Sequence, residues 1–150
     1  MSVPRSVRFD EDVLARLDRY VRAHPGSSAS SVVNMLVDEA LRVDEHPGIV
    51  FRPGPTGRRA ALAGGPDVWD VIAAMHAIRQ ENADLEGEWL VKELGAVTGL
   101  NDSMVNDAVR YYAAYPDEID TRIASNHDAA DREQRLQAAQ HALLRARNGQ

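Results

Sequence analysis

The sequence predicts a mainly helical protein of two modules with one short strand at its start. Three features predict it. Residues Arg5-Ser6-Val7-Arg8-Phe9 alternate polar and apolar side chains over a span too short for anything but one strand. Most of the remaining chain places apolar residues at helical spacing. A polar stretch ending in Pro47-Gly48 separates a first helix pair from a second group of elements.

In the strand, Val7 and Phe9 share one face and Ser6 and Arg8 the other. Asp10 is placed to cap a helix whose first turn carries Glu11 and Asp12, where the helix dipole favours negative charge. Val13, Leu14, Leu17, Tyr20 and Val21 give that helix one apolar stripe, and His24-Pro25-Gly26 ends it. Ser28 is a second N-cap candidate, followed by Val32, Val33, Leu36, Ala40 and Leu41 on the next helix. A module of about 40 residues with no cysteine needs a partner to be stable. A single strand also needs something to pair with. A second copy, pairing strands across a two-fold axis, satisfies both needs.

Ser6-Val7-Arg8-Phe9-Asp10-Glu11-Asp12, followed by Leu14, Leu17, Gly26 and Ser28-Ala29-Ser30, resembles a ribbon-helix-helix repressor over residues 1–43. The resemblance implies a swapped β-ribbon homodimer that enters the DNA major groove. Ser6 and Arg8 then face the bases, Arg5 reaches a phosphate, and the backbone at Ser28, Ala29 and Ser30 holds another. The chemistry agrees with this. The groove admits a two-stranded ribbon, arginine can grip guanine with two hydrogen bonds, and a helix N-terminus attracts anions. Pro4 stands where a third groove-facing side chain is expected, and Ala29 where the family commonly has a basic residue. Both lower the number of DNA contacts expected per dimer.

Val43 to Pro47 reads as a linker. Ile49–Arg52 and Arg58–Ala63 read as a hairpin around Pro53-Gly54-Pro55-Thr56-Gly57. Pro66 suits the first position of a helix from about Asp67 to Ile78. Gln80 to Gly87 reads as a loop, and Glu88 to Val97 as the next helix, with Trp69 and Trp89 expected in the core. Thr98-Gly99 ends it, and Leu100 to Ser103 opens a helix running to about Tyr115. Helix, glycine turn and helix make a helix-turn-helix, and the hairpin makes it winged. Asn101, Asp102 and Asp107 leave the last helix acidic on its outer face. That favours packing or protein contact over a phosphate backbone for this helix, and the sequence leaves DNA contact as the alternative.

Gly48-Ile49, Arg58, Gly64, Val68-Trp69-Asp70-Val71-Ile72, Leu100 and Val105-Asn106-Asp107-Ala108-Val109-Arg110-Tyr111-Tyr112 resemble an antitoxin-associated domain family with a winged-helix-like fold, over residues 46–120. Joined to the first module, this resembles a VapB-type antitoxin. The resemblance implies a toxin partner, a PIN-like ribonuclease, and autoregulation of the shared operon. It also implies higher oligomers as an option once toxin is bound.

Residues 121–150 are Ala-rich and polar, with an interruption at Asn126-His127-Asp128 and a thin stripe of Leu136, Ala139, Leu143 and Leu144. They read either as a solvated tail or as a helical segment that orders on a partner. By the antitoxin resemblance Leu136 and Leu143 would pack on the toxin, and Arg145 and Arg147 would meet the carboxylates of its metal site. The alternative reading is a stand-alone repressor whose C-terminal part oligomerises or senses a ligand.

A net charge of −6 argues against nonspecific coating of nucleic acid but leaves room for a local patch of arginine. No apolar run approaches a membrane span and no signal-peptide core opens the chain, so a cytoplasmic protein without membrane contact is expected. His24, His46, His76, His127 and His141 lack metal-ligand spacing, and no nucleophile or phosphate-loop motif occurs. A non-enzyme without cofactor or metal is the expectation.

Overall fold

The computed structural model describes residues 3–146. The chain is mainly helical and divides into two compact units, residues 1–45 and 46–150.

The first unit is an extended lead-in and two helices, α1 (Glu11–Ala23) and α2 (Ala29–Glu45). Asp10 holds the extended cap conformation of α1, although its side chain makes no capping hydrogen bond. The His24 N–H donates to the Val21 carbonyl to close the helix, and Gly26 turns the chain with φ of 90°. The expected strand at Arg5 to Phe9 is not formed, and residues 3–10 carry no regular structure. A ladder needs a second strand, and none occurs among the described residues of this unit. The expected linker at Val43 is also corrected, because α2 runs on to Glu45. Asp44 and Glu45 are tolerated in a helix, and the break comes only where Pro47 restricts the residue before it.

The second unit begins with the hairpin of β1 (Ile49–Arg52) and β2 (Arg59–Leu62), antiparallel, with Ile49 opposite Leu62 and Arg52 opposite Arg59. Three helices follow: α3 (Val68–Glu81), α4 (Gly87–Thr98) and α5 (Asp102–Ala114). Gln80 and Glu81 belong to α3 rather than to the expected loop. Ile49, Leu62, Val68, Val71, Ile72, Leu94, Val105 and Tyr111 are fully enclosed and form the centre of one core. Between α4 and α5 the chain turns tightly. Gly99 ends α4 with φ of 73°, and a Cβ on Gly95 would stand 2.8 Å from the Leu100 carbonyl oxygen. Both positions favour glycine, one for conformation and one for space.

The last helix, α6 (Pro116–Ala146), is continuous across Asn126-His127-Asp128, which corrects the expected interruption. Those residues cost at most about 0.7 kcal/mol each against alanine, and no glycine or proline follows Pro116 before Ala146 to stop the helix. Its root is anchored. Ile119 is buried, Ile123 packs against the core, and the Arg122 guanidinium donates to Thr56 and to the Arg58 carbonyl. From residue 124 to residue 145 every position is exposed.

Candidate functional site

Arg5, Ser6 and Arg8 lie exposed on the extended lead-in, with no carboxylate before Asp10. At the start of α2 the Ser28 hydroxyl accepts the Ser31 N–H at 3.1 Å, and the Ser28 N–H donates to the Ser31 hydroxyl at 3.0 Å. This is a reciprocal cap built from two serines, and it fixes the first turn. Ala29 and Ser30 occupy the first two helical positions, whose N–H groups lie ahead of the helix's own ladder and can meet an anion. Among the described residues no hydrogen bond or ion pair links the lead-in residues to Ser28, Ala29 or Ser30.

The same unit leaves an apolar face uncovered. Leu17 and Val32 are its buried apolar side chains, whereas Val7, Phe9, Leu14, Val37 and Leu41 are between 42% and 63% exposed. Phe9, Val13, Tyr20, Val33 and Leu36 line a groove of about 320 Å³. A contiguous apolar surface of this kind marks an interaction site rather than an ordinary scatter of exposed side chains.

In the second unit, the partner residues proposed from sequence lie on the exposed length of α6. Leu136, Leu143 and Arg145 all face solvent. Arg147 lies outside the described residues. Trp89, expected in the core, is instead 72% exposed, with the Lys92 ammonium 5.6 Å from its ring centre. The signal was present in the spacing. Successive helical residues are about 100° apart, so Trp89 and Val91 flank Leu90 on opposite sides. The buried side is that of Val91, Leu94 and Gly95. Trp69 sits as expected against the core, and its indole N–H donates to Asp67.

Helices α3, α4 and α5 line a cleft of about 610 Å³, on the side of α4 away from Trp89. Its floor includes Met75, Leu90 and Val105, and Arg79, Glu88, Lys92 and Asp102 stand around it. Sequence reasoning missed this cleft, because it arises from how three helices diverge and no residue pattern encodes that.

Elsewhere the ionisable groups serve the scaffold. Arg59 pairs with Asp67 across the hairpin end. Desolvation, reinforced by Asp67 and opposed by Arg59, raises the Asp70 carboxyl above its ordinary value. Desolvation and the hydrogen bond to Asp120 raise the Tyr112 phenol. His46 stands edge-on to Tyr111 and Tyr115, at 5.4 and 5.9 Å between ring centres. Among the described residues no cluster of three or more His, Cys, Asp or Glu side chains is placed to hold a metal ion. No described helix is long and apolar enough to cross a membrane.

Comparison with protein-family models, curated proteins and solved structures returns no match for this chain.

Proposed function

We propose that the chain is the antitoxin of a type II toxin-antitoxin pair and works as a homodimeric DNA-binding repressor. The observation that carries this reading is the first unit: two helices with an uncovered apolar face, preceded by an extended basic segment with no strand partner. A second copy supplies both missing parts. Its lead-in pairs with residues 5–9 into a two-stranded ribbon, and its apolar face covers Phe9, Leu36 and their neighbours. The ribbon then presents Ser6 and Arg8 to the major groove, with Arg5 and the Ser28–Ser30 backbone on the phosphates.

In this reading the second unit is winged-helix-like, with the hairpin as the wing. The exposed length of α6, through Leu136, Leu143, Arg145 and Arg147, docks on a PIN-like ribonuclease. Toxin and operator engage different parts of the chain, so the complex can repress its own operon. The alternative reading keeps the DNA half and replaces the toxin with self-association or a ligand. The open α3–α4–α5 cleft is the observation that favours it.

A mobility shift on the DNA upstream of the gene tests the shared half. Arg8→Ala should weaken binding by about 1–3 kcal/mol, roughly fivefold to 150-fold, and relax base preference at one position per half-site. Wild-type affinity in that variant overturns the groove assignment. Purification from the native operon tests the other half, by whether a ribonuclease accompanies the chain.

A further inference from the structure

Outside α6, the second unit exposes two large apolar side chains among its described residues, Trp89 and Val97, at 72% and 61%. Both belong to α4, and they share a face. Trp89, Ala96 and Val97 stand at i, i+7 and i+8, a stripe along one side of a helix. The opposite side of α4 is already buried through Leu90, Leu94 and Gly95. A helix with apolar residues on both sides is one whose outer side is also covered in use. Tryptophan in particular is enriched where a few side chains carry an interface. The Trp89 indole N–H has no acceptor among the described residues, whereas that of Trp69 donates to Asp67.

Charge names the occupant. Residues 81–102 hold six carboxylates and one basic side chain, Lys92, so most of the chain's net charge of −6 gathers around this helix. Glu86, at the N-cap, precedes Trp89 by three residues and Glu93 follows it by four, the spacings of neighbours on a helix surface. Both are exposed, and neither side chain has a hydrogen bond or ion pair among the described residues.

Nucleic acid and anionic lipid would bring phosphates against these carboxylates. The same face of a second copy would bring the same carboxylates, so a two-fold pair of α4 faces repels itself. A basic polypeptide meets attraction at both glutamates. Lys92 shows what the ring accepts, with its ammonium 5.6 Å from the ring centre. Arginine does this better than lysine, since its planar guanidinium stacks on an indole while its edge still donates to a carboxylate.

We propose that the outer face of α4 is a docking surface for an arginine-bearing segment of a partner protein. A guanidinium stacks on Trp89, further cations meet Glu86 and Glu93, and an apolar side chain covers Ala96 and Val97. The surface is distinct from the α3–α4–α5 cleft, which opens on the other side of the helix. Neither functional reading uses this face, so the proposal stands apart from both.

The chain's two tryptophans make the test direct. Their indole N–H signals in a nitrogen–proton correlation spectrum report Trp89 at the face and Trp69 against the core. Full-length protein is titrated with a capped helical peptide that carries arginines and leucines on one side, and with its glutamate counterpart. The Trp89 signal should shift saturably with the arginine peptide and stay put with the glutamate peptide, while Trp69 does not move. Glu86→Lys together with Glu93→Lys should weaken the response at least about tenfold while the melting temperature holds. Raising the salt concentration should weaken it in wild type. A Trp89 signal that ignores the arginine peptide, answers both peptides alike, or shifts only in step with Trp69 overturns the proposal. So does undiminished binding by the charge-reversed chain. A Trp89 signal that moves with protein concentration alone gives the face to a second copy and overturns it as well.

Discussion

The two units solve the same problem with opposite means. Among the described residues, the first buries two apolar side chains, Leu17 and Val32, while the second buries fifteen. The second unit has a hairpin sealed by its own residues and four helices around one core, with Tyr111 fully enclosed and donating to Glu118 at 3.1 Å. The first has two helices, no paired strand and a groove open to solvent. A unit of that size cannot offset its chain entropy from so small an interior. The difference teaches where to look for partners. A self-sufficient unit shows its binding surface as a cleft on a finished body. An insufficient one shows it as the half of a core that is missing.

That contrast can be broken most severely by truncating the finished core. Ile72→Ala should cost the second unit about 2–5 kcal/mol. Hydrogen exchange read separately for each unit should show lost protection around α3 and α5, with α1 and α2 unchanged. Equal loss in both units would mean that they fold as one. Next in size is Leu36→Asp, which puts a charge in the apolar groove of the first unit. It should weaken self-association by at least about tenfold, or about 1.4 kcal/mol, by sedimentation. Protection in the second unit should stay as it was.

The smallest expected effect concerns Asp70. Its folded carboxyl is raised above the ordinary aspartate value, first by desolvation and then by Asp67, with Arg59 opposing. The folded state therefore binds this proton more tightly than the unfolded chain does. The resulting cost is absent below that value, grows as pH rises, and is fully present above the folded pKa. Asp70→Asn should gain thermal stability over wild type between about pH 4 and pH 7, and the gain should vanish in more acid solution. Melting curves across that range would show it, and a gain independent of pH would remove the electrostatic account.

How much of this was legible in the sequence follows from which signals are local. The hairpin was, because Pro53, Gly54, Pro55 and Gly57 leave few other conformations. So were α1 through α5, whose caps and apolar spacing act within a few residues. The continuity of α6 was misread because Asn126-His127-Asp128 looks like a stop, yet weak helix formers without glycine or proline only lower the helix's margin. The strand at Arg5 to Phe9 had the right alternation. Alternation states a preference, however, and among the described residues no strand pairs with residues 5–9. Of the candidate sites, the residue types at Ser28 and Arg8 could be picked out locally. The cleft between α3, α4 and α5 could not, since it depends on how three separate helices splay.

The Arg122 contact with the hairpin turn has a mechanical consequence. Past that anchor α6 extends roughly 30 Å as a stiff rod, so its root acts as a pivot and its far end as the tip of a lever arm. A tilt of about 5° at the pivot sweeps the tip through about 3 Å, given that length. The loop between β1 and β2 thereby helps to hold the root of a helix that carries a distant row of leucines.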